Sequence, residues 1–350
     1  MTFRISNLLY LFALVAASLA IFGAGGLLLV WGILVFWVIT LAKPSSGYAS
    51  IAVAGLILGV IILLLMPAVE IGRSGARQAQ CMNNLKQQAL SIINFHQSLH
   101  RLPNTAVQLG DTDSMHSWRM RIVPFVESNH LYDSYHFDEA WNGPKNRQVV
   151  GTLPIPFYEC PSHSHPTKSN YFAVTGAETV WGDGERRSFD DVSDELANTI
   201  LLMEAAGRGI HWAEPKDLTF DEAVELLTTP LPTGDHDGHR VEHGYFYKPS
   251  YVRNVAMCDG SVHSLRVPIP REAAVALLTA SSGENIDPEW LERQSSAELD
   301  YGRVWVFSLF VVLAILPGVP KVRPWVWPQI TNSTTRAEAS PLGPSSSSPD

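Results

Sequence analysis

Residues 49–100 read ASIAVAGLILGVIILLLMPAVEIGRSGARQAQCMNNLKQQALSIINFHQSLH, and the fold turns on how this stretch is read. Ala49–Val69 carries no charge and is almost wholly apolar, enough for a helix across a bilayer core. Without a turn signal it runs into a segment in which Met82, Leu85, Ala89, Ile92 and His96 recur at steps of three and four. That period marks an amphipathic helix with one buried stripe. As one element, about 50 residues at roughly 1.5 Å each make a rod of about 75 Å. Pro67 removes one backbone bond and is the expected kink, with Gly72 and Gly75 as the alternative break between two helices.

Upstream, Asn7–Leu41 is charge-free and holds Gly23-Ala24-Gly25-Gly26 near its middle. Two short helices joined at that hinge are the expectation, with one long tilted span as the competitor. Arg4 and Lys43 flank the pair, and the positive-inside rule puts both in the cytoplasm and the following body outside. Arg73, Arg77 and Lys86 pull the other way, so charge alone leaves the topology open. A further apolar run, Val304–Leu316, is edged by Tyr301, Trp305, Trp325 and Trp327 and reads as a C-terminal membrane segment.

The 350 residues carry a formal charge of −9, which argues against nucleic acid as a partner because that needs a basic face. Three cysteines, Cys81, Cys160 and Cys258, are too few for a disulfide scaffold. One pair bridges only if the body lies outside the cytoplasm, and three buried thiols are the alternative. The lipid bilayer is the expected partner, with self-association or an envelope protein beside it.

From Leu102 the pattern changes to short elements separated by turn signals. Asn170–Gly176, Thr199–Ala205, Arg253–Met257 and Ser261–Val267 read as strands, and Leu218–Leu227 and Ile269–Leu278 as helices. Asp259-Gly260 is the strongest hairpin signal in the chain. The fold class expected is α+β: N-terminal transmembrane helices, the last continuing into a long helix that packs on a mostly antiparallel sheet. The expected divisions are 1–48 for one or two spans and a polar connection, 49–100 for the long helix and 101–268 for the α+β domain. A helical linker over 269–300, a C-terminal membrane segment over 301–328 and a disordered tail over 329–350 complete the chain.

Among residues that carry chemistry, His163 and His165 lie in PSHSHP, and Asp235, His236, Asp237 and His239 in GDHDGH. Imidazole with carboxylate suits zinc or iron. Asp235, Asp237 and Gly238 resemble the start of a calcium loop but lack its closing glutamate. Solvated loop histidines and a tight turn are the plainer account. Trp181-Gly182-Asp183-Gly184-Glu185 reads as a glycine-permitted turn before it reads as a calcium site. Cys160 near His163 has no orienting third group, and no nucleophile elbow, HExxH helix or Walker loop occurs.

Taken together, Leu63–Gln97, His116–Asn146, Phe157–Ser162, Ser169–Gly176, Asn198–Ala205, His211–Glu222 and Asn254–Leu265 resemble the DUF1559 family, in that family's order. Its members have a pilin- or pseudopilin-like N-terminal helix. The residues bearing the resemblance include Pro67, Cys81, Asn83, Asn84, Trp118, Cys160, Pro161, Asn170, Tyr171, Trp212, Asp259 and Gly260, to which a structural role is given. The resemblance implies a long helix packed by an antiparallel sheet and no enzymatic activity. The chain departs from the family in having no glutamate at the fifth position after Gly47, and in carrying Pro249 where a histidine commonly precedes the Asp-Gly pair by ten residues.

The expectation is therefore an integral-membrane variant of the family. It would be a multi-pass, non-enzymatic protein of the inner membrane with its soluble domain on the periplasmic side, structural or partner-binding and without a cofactor. The alternative is a membrane-bound metal-binding sensor or metal-dependent hydrolase that holds calcium or zinc through the His/Asp loops.

Overall fold

The computed structural model describes residues 4–41, 46–105, 116–126, 129–183, 187–231, 238–281, 283 and 297–327. The tail expected to be disordered lies outside them, as do Asp235, His236 and Asp237. Among the described residues, the α-helices of five or more residues are α1 (Ile5–Phe22), α2 (Gly26–Leu41), α3 (Ser46–Leu99), α4 (Trp118–Ile122), α5 (Asn129–Ser134), α6 (Pro144–Val150), α7 (Phe220–Thr228), α8 (Arg271–Leu278) and α9 (Tyr301–Ile315). The strands are β1 (Tyr171–Phe172), β2 (Val174–Thr175), β3 (Ile200–Glu204), β4 (Leu218–Thr219), β5 (His239–Val241), β6 (Ser250–Met257) and β7 (Val262–Arg266). The architecture is α+β, and the chain forms two units: Met1–Pro67 with Asp300–Asp350, and Ala68–Leu299.

In the first unit the glycine run does what its composition dictates. Gly23 takes φ 55° and a short 3₁₀ turn follows, so α1 and α2 form a hairpin. Ser18 donates to the Gly26 carbonyl at 2.8 Å, and a Cβ on Gly26 would lie 2.6 Å from the Ser18 Oγ. Helix α9 runs antiparallel to α1. Tyr10 donates to the Leu313 carbonyl at 3.0 Å, Asn7 to that of Trp325 at 3.2 Å, and the Phe22 and Phe310 rings meet at 5.7 Å. Trp37 on α2 donates to the Ala314 carbonyl. The faces of α1 and α9 away from these contacts present Leu8, Leu9, Phe12, Trp305, Leu309 and Val312 to the exterior. Ile5–Phe22 and Tyr301–Gly318 are long and apolar enough to cross a membrane, and Gly26–Leu41 is a shorter apolar helix.

The second unit is built on the C-terminal half of α3, which buries Cys81, Asn84, Leu85, Gln88, Ala89 and Ile92 on one face. The helix ends where His100 takes a positive φ of 53°. Against it lies a five-stranded sheet in which β6 is central and antiparallel to β3, β5 and β7. The β6–β7 turn is at Asp259-Gly260, with Gly260 at φ 82°, as the dipeptide predicts. Alternation along the strands sends Leu202, Ala256 and Cys258 toward the core containing α3, and Met203, Val255 and Met257 toward the core containing α7 and α8.

One detail of register positions the site. β7 pairs with Val252–Ala256, so it occupies one edge of β6. β3 and β5 therefore share the other edge, β3 opposite Val255–Met257 and β5 opposite Ser250–Val252. Lying end to end, they bring the last residue of β3, Glu204, beside the first of β5, His239.

Candidate metal centre

Cys81 sits on α3, two amides of that helix fasten the segment that carries Cys160 against it, and a third amide, from Asn170, holds the Cys160 backbone. Asn84 Nδ2 donates to the carbonyls of Pro156 (3.2 Å) and Glu159 (2.9 Å), and Gln88 Nε2 to that of Phe157 (2.6 Å). Asn170 Oδ1 accepts the Cys160 amide hydrogen at 2.8 Å. Asn84 and Gln88 follow Cys81 at steps of three and four, so the helix that offers the thiol also anchors its partner. Cys81 and Cys160 are joined as a disulfide with Cα atoms 5.2 Å apart. Of the two cysteine states left open by the sequence, the structure has the bridged one, with Cys258 the free buried thiol. Burial raises the Cys258 thiol far above its ordinary range, assisted by the charge of Asp259.

Glu204 and His239 face this pair from the sheet. His239 Nε2 is 3.0 Å from each Glu204 carboxylate oxygen and 3.6 Å from Cys160 Sγ. Asn254 Nδ2 donates to Glu204 Oε2 at 2.7 Å, and Ser162 Oγ lies 3.4 Å from His239 Nδ1. All four residues are buried, and one ligand atom from each of Cys81, Cys160, Glu204 and His239 lies within 4.8 Å of the other three.

This convergence corrects the expectation of a protein without enzymatic chemistry. Two sulfurs, an imidazole and a carboxylate brought together in a core could hold a metal ion once the disulfide is reduced, and suggest a metal or catalytic site. The set also favours zinc over calcium, which takes six to eight oxygens.

The histidine motifs divide. His239 is buried on a strand and enters the cluster; it is not the solvated loop residue expected. The His163 ring lies 5.8 Å from that of His239, outside the four, and His165 is exposed. Trp181 is buried and Gly182 adopts φ 64° in a turn. Gly184 and Glu185 lie outside the described residues.

Most of the remaining motif residues build the body. Trp118 donates to both Asp217 carboxylate oxygens at 3.0 Å, and Trp212 to the Leu153 carbonyl. The Tyr171 hydroxyl meets Asn84 Nδ2 at 3.5 Å. Asp259 accepts the Ser261 amide hydrogen, and the Gly260 carbonyl accepts Lys86 Nζ at 2.6 Å. Asn83 and Pro161 are exposed, and Pro67 lies within α3.

Glu204 is the site residue that motif reading passes over. Its signal is a carboxylate ending an otherwise apolar strand, at the alternation parity of Leu202, where a charge needs a buried partner.

Residues 71–188 match the family model described as protein of unknown function DUF1559. The chain carries a DUF1559 segment. That segment contains Cys81 and Cys160 and ends before Glu204 and His239. No curated protein and no solved structure matches the chain.

Proposed function

We propose that this is a membrane-anchored protein whose body binds a transition-metal ion, with zinc the best fit, through reduced Cys81 and Cys160 together with His239 and Glu204. The observation that carries the reading is the convergence of four ligand atoms within 4.8 Å in the core. A tetrahedral ion with bonds near 2.0–2.3 Å sets its nitrogen and sulfur ligands about 3.5 Å apart, and nitrogen and oxygen about 3.3 Å apart. The 3.6 Å from His239 Nε2 to Cys160 Sγ and the 3.0 Å to Glu204 fall close to those edges. Outer partners also fit. Asn254 fixes the carboxylate, and a proton on His239 Nδ1 can be donated to Ser162 Oγ, leaving Nε2 free to ligate. With all four donors the site is closed; with Glu204 released, Cys₂His leaves the open position that catalytic zinc uses. Complete burial favours the closed form and a sensing role.

The same reading sets the body outside the cytoplasm, attached to an inner-membrane bundle. α1 and α9 are antiparallel, so Arg4, at the start of α1, shares an end of the bundle with Lys321 and Arg323, beyond α9. Lys43 follows α2, whose Trp37 contacts that same end. These four basic residues are set against Arg73 and Arg77 just past the third span and Arg303 at the start of α9, while the rest of the body counts little because long domains are translocated largely regardless of charge. A disulfide-bonded core is at home in such a compartment.

The test is metal uptake by the full chain in detergent, reduced under anaerobic conditions and dialysed against zinc or cobalt. One ion per chain is expected, and cobalt should show thiolate charge-transfer absorption. Asn254→Ala should weaken binding by about 10–100-fold, the usual cost of losing an outer partner. A reduced, folded chain that takes up neither ion overturns the assignment.

A further inference from the structure

We propose that the Cys81–Cys160 pair is a redox gate on this centre, so that disulfide and metal ion are alternative occupants of the same two sulfurs. The proposal rests on the metal-binding reading and adds its regulation. Two thiolates on one tetrahedral zinc stand about 3.8 Å apart. Bonded sulfurs stand about 2.05 Å apart and have no thiolate lone pair left to give a cation at comparable strength. Opening and closing the site is therefore a movement of two sulfur atoms by roughly 1.7 Å in total, around a half-site that is already assembled. His239 and Glu204 hold each other at 3.0 Å in the disulfide form, and Asn254 braces the carboxylate.

The steps balance. A dithiol donor transfers two electrons and two protons to the Cys81–Cys160 bond and itself becomes a disulfide. On binding a divalent ion the two freed thiols lose both protons, and His239 turns its Nε2 lone pair from the Glu204 contact to the metal. In reverse, an acceptor disulfide takes two electrons from the two thiolates and leaves as two thiols after gaining two protons. The Cys81–Cys160 bond reforms and the ion departs, held by no more than one imidazole and one carboxylate.

The gate also changes what is tied to what. The disulfide joins α3 only to the segment before β1, across 79 residues. The metal would join α3, that segment, the end of β3 and the start of β5. Among the described residues, β5 is three residues long, pairs with β6 and accepts a hydrogen bond from Ser74 on α3 at its Arg240 carbonyl, so His239 is a further attachment to the core. Loss of the ion would thus be felt first at β5.

The experiment uses the wild-type full chain, purified oxidised, with half then reduced by a phosphine, which supplies the electrons and ends as its oxide. Both halves are dialysed against zinc, and metal and free thiols are counted. The oxidised half should hold no zinc and one thiol, Cys258; the reduced half should hold one zinc. Adding diamide, a two-electron thiol oxidant, to the loaded form should release one zinc to a chromogenic chelator for every two thiols lost. Cys258→Ser should bind and release zinc as wild type does, with one thiol fewer in each state. If the loaded form keeps both its thiols and its zinc in diamide, the gate is wrong while the centre stands. If the oxidised chain binds zinc as well as the reduced chain does, or diamide consumes the thiols without releasing metal, the two sulfurs are not ligands and the assigned centre fails as well. If neither form binds zinc, the centre itself is wrong and the gate falls with it.

Discussion

Removing the carboxylate of Asp217 would strand three donors at once. It accepts from Arg119 Nη2 at 2.7 Å, from Trp118 Nε1 and from the Ala173 amide, and Arg119 has no solvent exposure. Breaking a buried pair from one side leaves an uncompensated charge and costs about 3–5 kcal/mol. Asp217→Ala is expected to lower the unfolding free energy of the body by that order, read as a fall in the urea midpoint followed by tryptophan emission, while Asp217→Asn should cost less because its amide oxygen still accepts. An unchanged midpoint for the alanine variant would show that the pair is solvated. Neither Asp217 nor Glu204 was legible as a site in the sequence. Each is a single acid outside any motif, Glu204 marked only by the apolar strand it ends, and its partners lie tens of residues away. Cysteine and histidine draw the eye because they are rare and polarisable, whereas a buried carboxylate is recognised only by what surrounds it.

Among the elements, the α1–α2 hairpin was readable from its glycines and its closure depends on one of them. Gly26→Val would push a side chain into the Ser18 hydroxyl and carbonyl. Ser18→Ala removes only one hydrogen bond, worth about 1 kcal/mol. In detergent, the valine variant should melt well below the alanine variant, and equal melting would place the close approach elsewhere. The amphipathic half of α3 and the Asp259-Gly260 hairpin were equally open to reading, since periodicity and turn chemistry are local. The arrangement of β3 and β5 was not. A three-residue strand carries no period, and its place beside β3 is set by the length of β6 and by β7 occupying the other edge. The four side chains converge only because of that arrangement, which is why the histidine motifs alone pointed to a ligand set of which only His239 joins the cluster.

For the whole molecule, the proposed orientation, with α1 and α9 antiparallel, would put Arg4 and Lys321 on the cytoplasmic side of a bilayer. Single reporter cysteines at Ser45 and Ser345 should react with an impermeant maleimide only after the inner membrane is breached. One at Lys145, exposed on α6, should react once the outer membrane alone is opened. The opposite pattern would return the body to the cytoplasm and deprive the disulfide of its oxidising setting. The DUF1559 match covers 71–188 and so contributes the sulfur half of the centre, while the imidazole and carboxylate come from beyond it.

The order of those donors along the chain also sets the order in which they leave the ribosome. Cys160 precedes His239 by 79 residues. At about 5–20 residues per second, the two cysteines are both made some 4–16 s before the histidine exists. A nascent body reaching an oxidising compartment would present its thiols first, with no imidazole to help them compete for an ion. On the proposed orientation and gate, the newborn body would be bridged first and would take up metal only after a later reduction.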